Sequence, residues 1–228
     1  MAKSFITPDL FKFYREIKRH NDRAWFEQNK ARYHAVVRDP LLELVGEMAP
    51  ALEAISPYVV ADPRPVGGAL FRIYRDTRFS KDKTPYKTHA GLHFRHARGR
   101  DAHAPGYYLH LEPGDVFFAA GIWRPDGPSA RAIRQSIAAH PQRWRDTLAD
   151  RRFARSFRMA DERVTRMPRG CDPEHPCADD LRLKDFIASA ELSEKDAARP
   201  DFPDRLAQLA AVGAPLMAFL TRALGVPW

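Results

Sequence analysis

Residues 106–123 read GYYLHLEPGDVFFAAGIW. Two runs rich in aromatic and branched side chains flank Glu112-Pro113-Gly114-Asp115, a strong turn signal, so Gly106 to Glu112 and Asp115 to Trp123 are expected to form an antiparallel hairpin. Alternation sends Tyr107, Leu109 and Leu111 to one face of the first strand and Tyr108, His110 and Glu112 to the other. Two upstream runs, Leu70 to Arg75 and Thr88 to His96, have the same character. A sheet is therefore expected over about residues 70–123.

On both sides of this sheet the apolar period lengthens to that of a helix. Thr7-Pro8 starts one helix, with Leu10, Phe11, Tyr14 and Ile17 at helical spacing. Asn21 is placed to cap a second carrying Trp25, Phe26, Tyr33, Val36 and Val37, and Asp39-Pro40 repeats the start signal before Leu41, Leu44, Val45, Met48 and Leu52. Helical signals return at Pro128 to His140 and around Trp144, and a last helix is expected from about Pro203 to Leu224, with Pro215 as a place for a kink. Short runs at Phe153 to Met159 and Leu181 to Phe186 suit late edge strands. Helices, strands, then helices predict an α+β fold: a central antiparallel sheet packed by N-terminal and C-terminal helices, in a single domain over residues 1–228.

The formal net charge is +8, with 44% hydrophobic and 29% charged residues, a balance that excludes a disordered polyelectrolyte. Leu209 to Leu220 is the longest apolar stretch, and with Pro215 inside it falls short of the roughly 20 residues a membrane-spanning helix needs. Lys12, Arg15 and Glu16 stand where a secretory signal would need an unbroken apolar run. A cytoplasmic protein with no membrane partner is the expectation. Two cysteines, Cys171 and Cys177, flank His175 in CDPEHPC. Two thiolates and an imidazole are zinc ligand types, but the spacing is wrong for a C-x2-C knuckle and no second cysteine pair exists, so neither a metal site nor a cofactor is expected.

The positive charge is concentrated. From Arg72 to Arg100 the chain carries nine cations, Arg72, Arg75, Arg78, Lys81, Lys83, Lys87, Arg95, Arg98 and Arg100, against Asp76 and Asp82 alone. Joining two expected strands, RDTRFSKDKTPYK (Arg75 to Lys87) supplies Arg, Ser, Lys, Thr and Tyr donors that suit phosphate or carboxylate, Arg by its bidentate fork and Lys as a point charge. If the strands align, Arg72, Tyr74, His93, Arg95, Tyr108 and His110 share one face of cations, imidazoles and phenols. Such a face suits an anion, though an ordinary solvated sheet face has the same look. No glycine-rich phosphate loop of the P-loop or dinucleotide type is present.

The stretches NDRAWFEQNKARYH, FRIYRDTRFSKDKTPYKTHAG, PGYYLHLEPGDVFFAAGIWRPD and RGCDPEHPCADDLRLKDFIAS resemble a family of uncharacterised, mostly bacterial conserved hypothetical proteins, a domain of unknown function. The resemblance covers most of the chain and implies no reaction, cofactor or partner. It marks Asn29, Lys30, the basic turn and the hairpin residues Tyr108 and His110 as motif positions. Typical members have an aromatic near Cys171 and no cysteine at Cys177, so this chain departs there.

Three readings follow. An anion-binding module for nucleic acid or phosphate would use Arg72, Arg75, Arg78, Ser80, Lys81, Lys83, Tyr86, Lys87, Arg95 and Tyr108, with Phe79, Tyr86, Tyr108 or Trp123 available to stack on bases. An enzyme acting on a small phosphorylated or carboxylated substrate would use His93 or His110 as general acid or base, oriented by Asp76. A protein-interaction module would present the basic turn to an acidic partner or tie it up in an internal ion-pair network. Charge alone does not choose among them, because all three use anions.

Overall fold

The alternation in residues 106–123 is realised as two central strands of a five-stranded sheet in a computed structural model, which describes residues 3–99 and 105–228. Strands β1 (Ala90–Arg95), β2 (Gly106–Glu112), β3 (Asp115–Ile122), β4 (Arg158–Met159) and β5 (Phe186–Leu192) lie in the order β1-β2-β3-β5-β4, every pair antiparallel. One face buries Leu92 and Phe94, Tyr107, Leu109 and Leu111, Val116, Phe118 and Ala120, and Phe186, Ala188 and Ala190. These belong to one continuous core cluster shared with the helices. The fold is α+β, as the order of periodicities predicts.

Before the sheet come α1 (Pro8–Arg19), α2 (Arg23–Tyr33), a π turn (His34–Arg38) and α3 (Asp39–Ile55); after β3 come α4 (Gly127–Ala139), α5 (Pro141–Ala149), α6 (Arg151–Ser156), α7 (Ala178–Leu181), α8 (Glu194–Ala197) and α9 (Phe202–Ala223). In α1, Leu10, Phe11, Phe13, Tyr14 and Ile17 are all buried. The N–H of Asp39 donates to the carbonyl of His34, one residue further back than an α-helix would reach. α9 runs unbroken through Pro215 and is long and apolar enough by composition to cross a membrane, yet here Leu206, Leu209, Leu216, Met217 and Leu220 are buried as it packs on α3 and β3. Close approach is needed where it meets the sheet. A Cβ on Gly213 would stand 2.9 Å from the Ala120 Cβ, and the Tyr107 hydroxyl donates to the Ala210 carbonyl at 2.9 Å.

Four expectations are corrected. Leu70 to Arg75 is not a regular strand: Phe71 N–H donates to Gly91 and His93 N–H to Ala69, but beyond this the segment pairs with its own return, Lys87 N–H to Ile73 and Arg75 N–H to Pro85. Changing partner shifts the register, so only isolated bridges form, Leu70 with Leu92 and Tyr74 with Tyr86. The α2 cap is Asp22, whose carboxylate accepts from Trp25 N–H at 2.9 Å; Asn21 instead accepts from Tyr86 N–H at 3.0 Å and donates to Tyr86 O at 2.9 Å, pinning the basic segment to the helices. Phe153 lies in α6, leaving only Arg158–Met159 as strand. The late strand starts at Phe186 and is interior, between β3 and β4, because its Ala188 and Ala190 bury against the core while Leu183 only bridges to Arg163. Arg100 lies outside the described residues.

Replacing Gly213 by Val should destabilise the protein by about 1–3 kcal/mol through overpacking against Ala120, read as a lowered urea midpoint at unchanged slope. A midpoint equal to that of the parent protein would refute the close-packing account.

Candidate anion cleft and histidine cluster

The face of the sheet turned from the core carries the chemistry. β1 and β2 align Gly91 with His110 and His93 with Tyr108; β2 and β3 align His110 with Phe117 and Glu112 with Asp115. Opposed residues share a face, so Tyr108, His110 and Glu112 stand beside His93 and Asp115. His89, one residue before β1, is next in line opposite Glu112. A Cβ at position 91 would come within 2.6 Å of the Tyr108 oxygen, so glycine there lets the phenol lie across β1 and reach His110 Nδ1 at 3.1 Å.

His110 stacks on Phe117 with ring centroids 4.8 Å apart, and its ring lies 4.4 Å from that of His89. Its Nε2 is 3.5 Å from the Glu112 carboxylate and 3.9 Å from that of Asp115, while His89 Nδ1 is 4.0 Å from Glu112. Glu112 also accepts from the Thr88 hydroxyl at 2.9 Å and lies 3.8 Å from Lys18 Nζ of α1. Burial, followed by the neighbouring His110, pushes the His89 imidazole down to about 4. Burial also lowers His110, against the pull of Asp115 and Glu112, and raises the Tyr108 phenol. Both imidazoles of the cluster are thus neutral near pH 7.

Beyond the β1 edge a cleft of about 860 Å³ opens between the basic segment and α2, lined among others by Lys30, His34, Arg38, Arg72 and Arg95 and by Phe26, Tyr33, Phe71 and Tyr74. No carboxylate lines it among the described residues. Lys30 pairs with Glu27 at 3.3 Å, Arg38 donates to Asp39 at 2.7 Å, and Arg95 donates to the Gly67 carbonyl at 3.2 Å. Phe71 joins cleft and cluster, its ring 6.1 Å from both His93 and Tyr108 and capped by Lys87 Nζ at 5.4 Å.

The structure separates the expected anion residues into three groups. Arg72 and Arg95 line the cleft, but Arg72 and Tyr74 do not join His93 and Tyr108; Phe71 takes that place, because the segment beside β1 is irregular. In the turn, Arg78 grips Asp76 at 2.7 Å and holds its carboxyl down to about 2, and the Thr84 N–H, followed by Arg75 at 2.5 Å, holds Asp82 down to about 2, while Lys83 donates to the Thr77 carbonyl and Lys87 to that of Arg72. Lys81 is exposed and Ser80 half-buried. Tyr86 is buried, stacked on Phe26 at 4.3 Å. Of the aromatics expected to stack on bases, Phe79 is 95% exposed and Trp123 is exposed, while Tyr108 faces the histidines. The carboxylate beside His110 is Glu112, and Asp76 is engaged by Arg78 instead.

Lys30, His34 and Arg38 were not in the sequence-derived anion set, although their spacing of four puts them along one side of a helix. His89 and Glu112 were likewise absent, although His110 and Glu112 alternate onto one strand face. In the CDPEHPC loop, His175 Nδ1 accepts from Cys177 N–H at 3.0 Å and its Nε2 lies 3.2 Å from the Ala138 carbonyl, so both ring nitrogens are engaged by backbone. Cys177 is buried and Cys171 half-buried, both as free thiols.

The unfolded chain protonates His89 near its ordinary value of about 6.5, the folded one only near 4, so between those values the unfolded state binds more protons and stability is lost as the pH is lowered. His110 and Lys87 oppose charge on this ring and Glu112 favours it. Relative to His89→Gln, the parent protein should lose on the order of 3 kcal/mol between about pH 7 and 4 in urea unfolding; parallel profiles for the two proteins would contradict the assignment.

No curated protein and no solved structure matches the chain. The model of the family described as conserved hypothetical protein (DUF2461) matches residues 9–219, reaching from α1 into α9 and taking in the cleft, the basic turn and the histidine cluster. The chain therefore belongs to the DUF2461 family of conserved hypothetical proteins.

Proposed function

We propose that this protein is a phosphate-binding module whose cleft takes the phosphate and the flat apolar part of a nucleotide, free or within single-stranded nucleic acid. One observation carries the reading: Lys30, Arg38, Arg72 and Arg95 converge on a cleft that no carboxylate lines among the described residues. Gathering like charges in one concavity is unfavourable until an anion enters, and the resulting field draws anions in. The aromatic lining offers ring faces for a base, with Tyr74 45% exposed. About 860 Å³ is within the range of small-ligand sites. Exposed Phe79 and Lys81 on the turn extend the surface a strand would follow.

A second reading is favoured by the His110–Glu112 approach of 3.5 Å: an enzyme acting on a small phosphorylated or carboxylated substrate, with His110 as general acid or base and Glu112 orienting it. The basic turn is less suited to an acidic protein partner, since Asp76 and Asp82 already engage Arg78 and Arg75.

Fluorescence anisotropy with a labelled single-stranded oligonucleotide, competed by mononucleotides, tests the proposal. Four cations on a single strand imply roughly a 50-fold loss of affinity between about 50 and 200 mM salt. Arg72→Ala with Arg95→Ala should weaken binding at least about tenfold and flatten that slope, whereas Arg78→Ala, already paired to Asp76, should change it little. Absence of binding to both oligonucleotide and mononucleotide at the lower salt would refute the module.

A further inference from the structure

We propose that His89, His110 and Glu112 form a binding site for a divalent transition-metal ion of the zinc class. This rests on the cluster alone and is independent of the phosphate reading of the cleft. One ligand atom from each of His89, His110 and Glu112 lies within 4.8 Å of the other two, with His110 Nε2 3.5 Å and His89 Nδ1 4.0 Å from the Glu112 carboxylate. Around one tetrahedral ion with bonds near 2.1 Å, ligand atoms sit about 3.4 Å apart. Rotation of side chains over about an ångström closes the set; no strand has to move.

The donor set is selective. Two imidazoles and one carboxylate suit zinc, iron or manganese and exclude calcium and magnesium, which take oxygen donors. Three protein ligands leave a coordination position open, the pattern of catalytic rather than structural zinc sites. Asp115 lies 3.9 Å from the same His110 nitrogen and is the nearest further carboxylate. His89 also lines a hollow of about 380 Å³ whose wall includes Lys18, Lys87 and the Arg75–Asp82 pair, so the metal would be reached past a polar, charged wall.

The surroundings hold the ligands in place, as a metal site requires. Tyr108 oxygen lies 3.1 Å from His110 Nδ1, where it accepts the ring N–H when Nε2 binds an ion. Phe117 stacks on the same ring, and the Thr88 hydroxyl fixes the second Glu112 oxygen. Gly91 makes the Tyr108 contact sterically feasible. The strand register therefore supplies both the ligands and the group that orients one of them.

The test uses the untagged full chain, stripped with a chelator and titrated with Zn²⁺ against a chromophoric competitor at neutral pH, with Co²⁺ spectra as a second readout. One equivalent should bind at about micromolar affinity or tighter, and Co²⁺ should give visible absorption bands. His89→Gln and Glu112→Gln, both at half-buried positions, should each weaken binding at least about tenfold, and Tyr108→Phe by about tenfold while altering the Co²⁺ spectrum. A Cys171→Ser, His175→Gln, Cys177→Ser variant should bind as the parent does. Lack of stoichiometric binding by the parent, unchanged affinity in folded His89→Gln and Glu112→Gln, or loss of binding in the cysteine-loop variant would each overturn the site. Circular dichroism confirms folding, and should one of the two single variants fail to fold, the other, with the cysteine-loop variant, decides.

Discussion

Because side chains alternate across a strand, pairing His93 with Tyr108 commits every residue of β1, β2 and β3 to a face. Leu92, Phe94, Leu109, Leu111 and Phe118 go inward, where the apolar area they remove from water holds the sheet to α9. Apart from the Tyr107 hydroxyl, which donates to the Ala210 carbonyl, the polar side chains of these strands are gathered on the other side. A slip of one residue would send His110 into the core and Leu109 and Leu111 to the solvent, at a cost the fold could not sustain. Packing and chemistry are thus set by the same register, and the face turned from the core collects imidazoles, a phenol and carboxylates beside Phe71 and Phe117.

The cationic cleft has a different origin. Its members come from α2 and the π turn, from an irregular extended segment and from the end of β1, and three of them are held by partners on their own side: Glu27 for Lys30, Asp39 for Arg38 and the Gly67 carbonyl for Arg95. Those contacts aim the side chains without placing a carboxylate in the cleft. In the basic turn the reverse holds, since Asp76 and Asp82 satisfy Arg78 and Arg75 directly. Surface pairs of this kind contribute little stability, so their effect is to shape the turn. Local charge density in a sequence therefore overstates the turn and understates the cleft.

Much of the architecture is legible from pattern alone. The hairpin follows from two alternating runs about a Pro-Gly turn, and α1 and α3 follow from apolar residues three and four apart. β5 is harder to read because Ala188, Ala190 and Ser189 are weak strand formers that gain their conformation from pairing with β3. Leu70 to Arg75 has strand composition but changes partner midway, which composition does not record. Asn21 looks like a cap and serves as a clasp on Tyr86, because Asp22 is nearer the helix start. For the site, His93, His110, Tyr108, Arg72 and Arg95 stand out by residue type and alternation. His34, Arg38 and His89 do not, and Lys30 is marked by the family resemblance alone, since each looks like an ordinary surface residue by type until the tertiary fold brings it beside its partners.

The π turn at His34–Arg38 places His34 and Arg38 side by side, Arg38 Nη1 lying 3.2 Å from His34 Nε2. Its wider hydrogen-bonded ring encloses one residue more than an α turn. Loss of a single residue here would restore α geometry locally while leaving the phase of the flanking helices intact, so Phe26 and Tyr33 on one side and Leu41 and Leu44 on the other would keep their buried faces. Only the rim of the cleft would change. Gain or loss of one codon at this point would thus reshape the cleft rim without redesigning what holds the helices together.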